Sequence, residues 1–230
     1  MTQLIATIDQ LVRAHQSALD ALDREVVTQV RSLIRLTSKL GPTEQRQALM
    51  RMLPRLVDSF GLVAGEIAIQ AYETIRAEAG VSTMVDLSVQ GLASETQTAK
   101  SLDWATKPIR NDPQLVEQRL IGVSRRLVLQ PARQTTLAGV RSDRARYARV
   151  SQPGACAFCL MLSSRGAVYA SDTADFDSHD DCNCFPTPVF NDSQIPKHNR
   201  QLEAEWLQAT KGESDQLNAW RRHINAKRSE

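Results

Sequence analysis

The sequence predicts a mainly α-helical protein: a long N-terminal helical hairpin, a small α/β module held by a metal knuckle, and a C-terminal helix. Three observations carry this expectation. Aromatic residues make up 5% of the chain against 42% hydrophobic residues overall, a balance low for an all-β protein and suited to helices rich in Leu, Ala, Gln and Arg. Apolar residues near the N-terminus recur in steps of three and four, the helical period. All four cysteines fall between Cys156 and Cys184, where the pattern changes period.

Residues 3–38 read as one helix. Leu4, Ile8, Leu11, Leu19, Leu22, Val26, Val30 and Leu33 form a stripe close to a heptad seam, and His15 fills its one gap. Gly41-Pro42 ends it, and a second helix over 43–79 follows, with Pro54 as a kink or restart. Two such helices joined by a short turn make an antiparallel hairpin. Residues 80–113 are less regular, with a short helix expected around 83–100 and turns at Lys107-Pro108 and Asp112-Pro113. Helices are expected at 114–128 and 131–146, with Pro131 in the first turn of the second. Tyr147 to Ser151 reads as a strand, Pro153-Gly154 as a turn, and Cys156 to Ser164 as a knuckle with a short helix capped by Gly166. A second strand is expected at Ala167–Ala170, an Asp-rich loop at 171–181, and a third strand at 184–190, whose Pro186 and Pro188 suit an edge. Asn191 to Pro196 reads as a linker. Residues 199–226 are expected to be helical, anchored by Leu202, Trp206, Leu217, Trp220 and Ile224 and interrupted at Gly212. The expected units are therefore 1–146, 147–190 and 191–230.

The net charge of +2 makes the whole chain no polyelectrolyte, but the charge is uneven. From Arg110 to Arg149 there are nine arginines against three acids, and from Asp172 to Asp181 five aspartates with no base. Arg119, Arg125, Arg126, Arg133, Arg141, Arg144, Arg146 and Arg149 are the candidate contacts if this stretch meets nucleic acid; an acidic protein surface or a solvated helix face are the other readings. The residues from Met1 to Gln10 have neither the basic start nor the apolar run of a signal peptide, so none is expected, and no run of about 18 apolar residues exists, so no membrane span is expected. Thiols made in a reducing cytosol and clustered this way point to metal rather than to disulfides.

The cysteines read Cys156-Ala-Phe-Cys159, nineteen residues, then His179-Asp-Asp-Cys182-Asn-Cys184. C-x2-C is a common half-site for a metal that takes four ligands from two tight turns, and soft thiolates with imidazole suit zinc. Five donors compete for four positions. Either the four cysteines bind and His179 stands behind them as a hydrogen-bond donor, or Cys156, Cys159 and His179 bind with one of Cys182 and Cys184. In an extended chain the alpha carbons of C-x-C lie about 6.5–7 Å apart, so a turn at Asn183 is needed for both to reach one ion. A closed site of this kind is structural. Four free thiols, or disulfides formed by oxidation outside the cell, are the alternatives. A cysteine nucleophile with His179 as base needs one thiol only, and no catalytic residue is assigned. His15, His198 and His223 are isolated and read as surface or packing residues.

Arg149-Val-Ser-Gln-Pro-Gly-Ala-Cys156-Ala-Phe-Cys159 through Gly166-Ala-Val-Tyr169, with His179-Asp-Asp-Cys182-Asn-Cys184-Phe-Pro-Thr-Pro188, resembles the MuF-like minor head proteins of tailed phages, of the type found in actinobacterial phages and prophages. The motif covers about 40 residues; the helical region before it and Leu217 to Arg222 match in architecture. The resemblance implies a head-morphogenesis protein beside the portal inside the capsid, assembled in the host cytoplasm and carried in the virion. It implies the portal protein, the major capsid protein and packaged DNA as partners, and a role in assembly, packaging or ejection. Self-association through 3–38 is expected from the heptad-like stripe. A capsid maturation protease and a zinc-dependent nucleic-acid-binding module are the alternative functions.

Overall fold

The computed structural model describes residues 7–152, 154–169, 176 and 178–229. The described residues are mainly helical, with seven α-helices and one small two-stranded sheet. Helix α1 spans Ile8–Thr37. Thr7 caps it, accepting from Gln10 N while the Gln10 side chain accepts from Thr7 N at 2.7 Å, a reciprocal box that satisfies two otherwise orphaned donors. Leu4, the first residue of the expected stripe, lies outside the described residues. The rest of that stripe is turned inward: Leu19, Leu22, Val26 and Val30 are buried, and so is the gap residue His15. Helix α2, Pro42–Glu78, starts on a proline in its first turn, where the missing N–H costs nothing. It runs through Pro54 without a restart, one unbroken rod about 55 Å long. α1 and α2 form the expected hairpin, and α1 packs on α4 as well.

Two expectations for the middle of the chain are corrected. The helix expected around 83–100 is displaced: residues 81–94 form an irregular strap, and α3 occupies Glu95–Thr106 behind a Ser94 cap. The strap is held by side chains distant in sequence. Gln90 N donates to Thr135 Oγ1 at 2.9 Å, and Gln130 Nε2 donates to Gly91 O at 2.9 Å. Val89 sits on Gly65, where a Cβ would overlap it. The second correction is that 114–128 and 131–146 are not two helices. α4 is continuous from Pro113 to Ser142 with Pro131 inside it, and residues from Arg146 onward are strand. The Pro131 ring lies against Gly61 of α2, 3.4 Å from where a Cβ would stand, so close helix packing there offsets the lost backbone bond.

Strands β1, Arg146–Val150, and β2, Phe185–Val189, pair antiparallel, Tyr147 opposite Pro188 and Arg149 opposite Pro186. Both prolines thus sit in a strand that is an edge by necessity. The expected strand at 167–170 is reduced to one bridge, Tyr147 with Tyr169; Ala170 lies outside the described residues. Between them, α5 covers Ala157–Ser164 and ends at Gly166, whose φ of +65° is the left-handed cap expected of it. The linker at 191–196 contains a single 3-10 turn, Asp192–Gln194. The C-terminal helical segment divides into α6, Lys197–Ala209, and α7, Gln216–Arg228, at Gly212, φ +77°. Trp220 is fully buried with Leu202 and Ile224 against α5.

The main core lies among α1, α2, α3 and α4 and extends to Val150 and Phe185 of the sheet. A second apolar cluster joins Tyr72, Leu137, Val140 and Tyr147 to Cys159, Phe176, Cys182 and Cys184. Cys159, Cys182 and Cys184 are thus set into packed interior between α4 and the sheet, with Cys156 at its edge.

Candidate metal centre

Cys156 is the N-cap of α5, and its sulfur accepts from Cys159 N at 3.4 Å. That bond folds the C-x2-C knuckle and places Cys159 one turn on, facing inward. The second half-site is a turn in which Cys182 N donates to His179 O at 3.2 Å and Asp181 takes φ +64°. Gly122 on α4 makes room for it, since a Cβ there would stand 3.2 Å from Asp180 Cβ. Cys184 follows at the entry to β2.

The donors fall into two groups that share Cys159. Cys156, Cys159 and His179 form one; Cys159, Cys182 and Cys184 form the other. Within each group the ligand atoms lie within 4.8 Å of one another. His179 Nε2 is 3.6 Å from Cys156 Sγ and 3.7 Å from Cys159 Sγ, and Cys159 Sγ is 3.8 Å from Cys182 Sγ. A tetrahedral ion with metal–sulfur bonds of about 2.3 Å and metal–nitrogen bonds of about 2.0 Å has edges of about 3.8 Å between sulfurs and about 3.5 Å from sulfur to nitrogen. These three separations match such edges, while among the described residues no four of the donors lie within 4.8 Å of one another. His179 Nδ1 lies 2.6 Å from Asp180 O. A carbonyl there fixes the proton on Nδ1 and leaves the Nε2 lone pair aimed at the thiols, the tautomer a metal requires. Cys159, Cys182 and Cys184 are buried, and Cys156 and His179 form the more open side. The donor set, spacing and tautomer fit a metal ion. Bound there, it would tie the knuckle, the turn and the start of β2 together.

The electrostatics favour anionic sulfur at Cys182 and Cys156 and disfavour it at Cys159 and Cys184. Hydrogen bonds from the Cys159 and Cys184 thiols, with the Arg133 charge, hold the Cys182 thiol far below its usual range, and Cys159 is held up by its bonds to Cys182 and Cys184. Burial pushes Cys156 up, but the Cys159 N–H and His179 outweigh it and bring it down. The bond to the Asp180 carbonyl, and then Cys156, raise His179.

The candidate arginines divide by burial. Arg133 and Arg149, 2% and 5% exposed, are interior and turned to the cysteines. Arg133 Nε donates to Cys184 O at 3.0 Å, Nη1 to Ser178 Oγ at 2.8 Å and Nη2 to Cys182 O. Arg149 Nη2 lies 3.6 Å from Cys182 Sγ, and its guanidinium covers the Phe176 ring. Neither faces solvent. Arg125 pairs with Asp23 at 2.8 Å and Asp181 at 3.3 Å, Arg126 with Asp180 at 2.6 Å, and Arg146 with Asp192 at 2.6 Å. Arg119 lies over the Trp104 ring, and Arg141 and Arg144 are exposed. The basic stretch and the described end of the acidic loop, Asp180 and Asp181, meet each other. Asp172, Asp175 and Asp177 lie outside the described residues.

Sequence reasoning missed this role for Arg133. The available signal was a charge at a position of α4 flanked by the apolar Leu129, Ala132 and Leu137.

A family model described as VG15 protein matches residues 7–209. The chain belongs to the VG15 protein family. The match spans all the site residues, and the family is one of viral, phage proteins. It does not single out the MuF-like group within them. α7 lies beyond the matched residues. No curated protein sequence and no solved structure matches the chain. No helix among the described residues is long and apolar enough to cross a membrane.

Proposed function

We propose that this VG15-family protein is a minor capsid protein of the MuF-like kind, carried in the virion at the portal-proximal interior of the head. There it assists assembly, DNA packaging or ejection, and residues 147–190 are locked by one structural zinc ion. The observation that carries the zinc is the convergence of five donors on Cys159, three of their separations, 3.6 to 3.8 Å, matching edges of a tetrahedral ion. Membership of a viral family supports the particle role, together with the cysteine motif quoted above. The portal protein or the major capsid protein is the partner. The stripe of α1 is largely buried within the chain, so the surface offered to that partner is the outward side of the hairpin, where Leu36, Leu62 and Val63 are exposed. The test is gold labelling and quantitative mass spectrometry of purified particles, with and without the tail-proximal vertex proteins. A fixed, low copy number at one vertex is expected. Absence from mature and precursor heads would overturn the reading.

The setting of Cys156 favours a second reading, a maturation protease: it is only partly buried, its thiol pKa is depressed, and it stands 3.6 Å from His179 Nε2. Co-expression of the capsid precursor with Cys156→Ser and His179→Ala separates the two. Cleavage lost in both variants while they still enter heads supports the protease; cleavage unchanged removes it.

A further inference from the structure

Cys182 and Cys184 present a geometric problem to any metal. Alternate residues of an extended chain hold their alpha carbons about 6.5–7 Å apart, yet both sulfurs lie within 4.8 Å of each other and of Cys159. The two sulfurs converge from the same side of Asn183, and one side chain holds the backbone on both sides of it. Arg133 reaches from the middle of α4 and donates to the carbonyls on both sides of Asn183, Cys182 O and Cys184 O. Its remaining arm is fixed by Ser178 Oγ. A guanidinium can do this because its donors form a rigid planar fork; a lysine ammonium is a point charge and cannot hold two carbonyls in fixed relation. Burying such a charge is expensive without compensation, and three hydrogen bonds with neighbouring sulfur supply it.

We infer that Arg133 is the positioning residue that fixes the backbone of Cys182-Asn183-Cys184 so that both thiols face Cys159, and that it thereby sets how many thiolates the metal receives. This rests on the metal reading above. Arg133 touches no metal; it acts through the two carbonyls.

The test is titration of cobalt(II) into the reduced full-length protein, followed by optical absorption. The wild type is expected to take one ion with a tetrahedral ligand field and strong thiolate-to-cobalt charge transfer. Arg133→Met and Arg133→Lys are expected to bind about 10–100-fold more weakly and to lose one thiolate's share of that charge-transfer intensity. Arg141→Met, at an exposed position of the same helix, is expected to match the wild type. Because Arg133→Met can fail to fold, Arg133→Lys with native far-ultraviolet dichroism is the deciding variant. Wild-type affinity and spectrum in that variant would overturn the inference. A wild type that takes no cobalt removes the metal reading itself, and the inference falls with it.

Discussion

His15 shows how one buried polar residue writes itself into stability. It sits in the apolar stripe of α1 against the Phe185 ring, 4.6 Å between centroids, and its Nε2 has no hydrogen-bond partner among the described residues. Burial pushes its pKa down to about 4. Above about pH 6.5 the imidazole is neutral in both folded and unfolded chains and contributes no slope. Between about 6.5 and 4 the unfolded chain takes up a proton that the fold refuses, so stability falls as pH falls, by about 3 kcal/mol in all. Replacing His15 by Leu is expected to remove that part of the acid limb. Urea unfolding at pH 7 and pH 4.5 checks it; an identical loss in wild type and variant would show that His15 is not the source. Its burial was foreshadowed in the sequence, where it fills the one gap in the stripe. Arg133 was not legible in this way, since its partners lie about fifty residues on and are backbone carbonyls, which carry no sequence signature.

Helix on helix, the fold depends on small residues placed where two elements touch. Gly139 of α4 lies under the Tyr72 ring of α2, and a Cβ there would stand 2.6 Å from Cζ. The close approach lets Tyr72 Oη donate to Asp143 at 2.7 Å beside the Arg76 pair, tying the C-terminal ends of both helices. Gly139→Ala is therefore expected to cost about 1–3 kcal/mol, visible as a lower Tm; an unchanged Tm would mean the helices separate freely. At the other end of the chain, α7 holds the knuckle by its backbone. Trp220 Nε1 donates to Ala157 O at 2.8 Å, and Arg228 donates to Gly154 O and Ala155 O. Trp220→Ala is expected to destabilise by about 3–5 kcal/mol and to speed metal release to a chelator. Release at the wild-type rate would show that α7 merely covers the site. The hairpin, β1, β2 and α5 were legible because each rests on local period and turn chemistry. The strap at 81–94 and the continuity of α4 through Pro131 were not. Both are decided by partners far away, Gln130 and Thr135 for the first and Gly61 for the second, and local propensity yields to such packing.

Across the whole molecule, part of the charge is settled internally. A basic stretch and an acidic loop that look like two binding surfaces in the sequence pair with each other through Arg125, Arg126, Asp180 and Asp181, and so help seat the turn that carries His179, Cys182 and Cys184. Most helical residues lie in α1, α2 and α4, outside residues 147–190. Chelation is therefore expected to unfold that segment while keeping most of the helical dichroism, since the binding energy of such a site is folding energy. Complete loss of helix would show that the bundle has no stability of its own. The most direct test of the metal centre is elemental analysis of the protein purified under reducing conditions, with thiols counted on the same sample. A zinc centre is expected to show close to one zinc per chain and thiols protected until the metal is removed. No metal, with four freely titrating thiols, would contradict it.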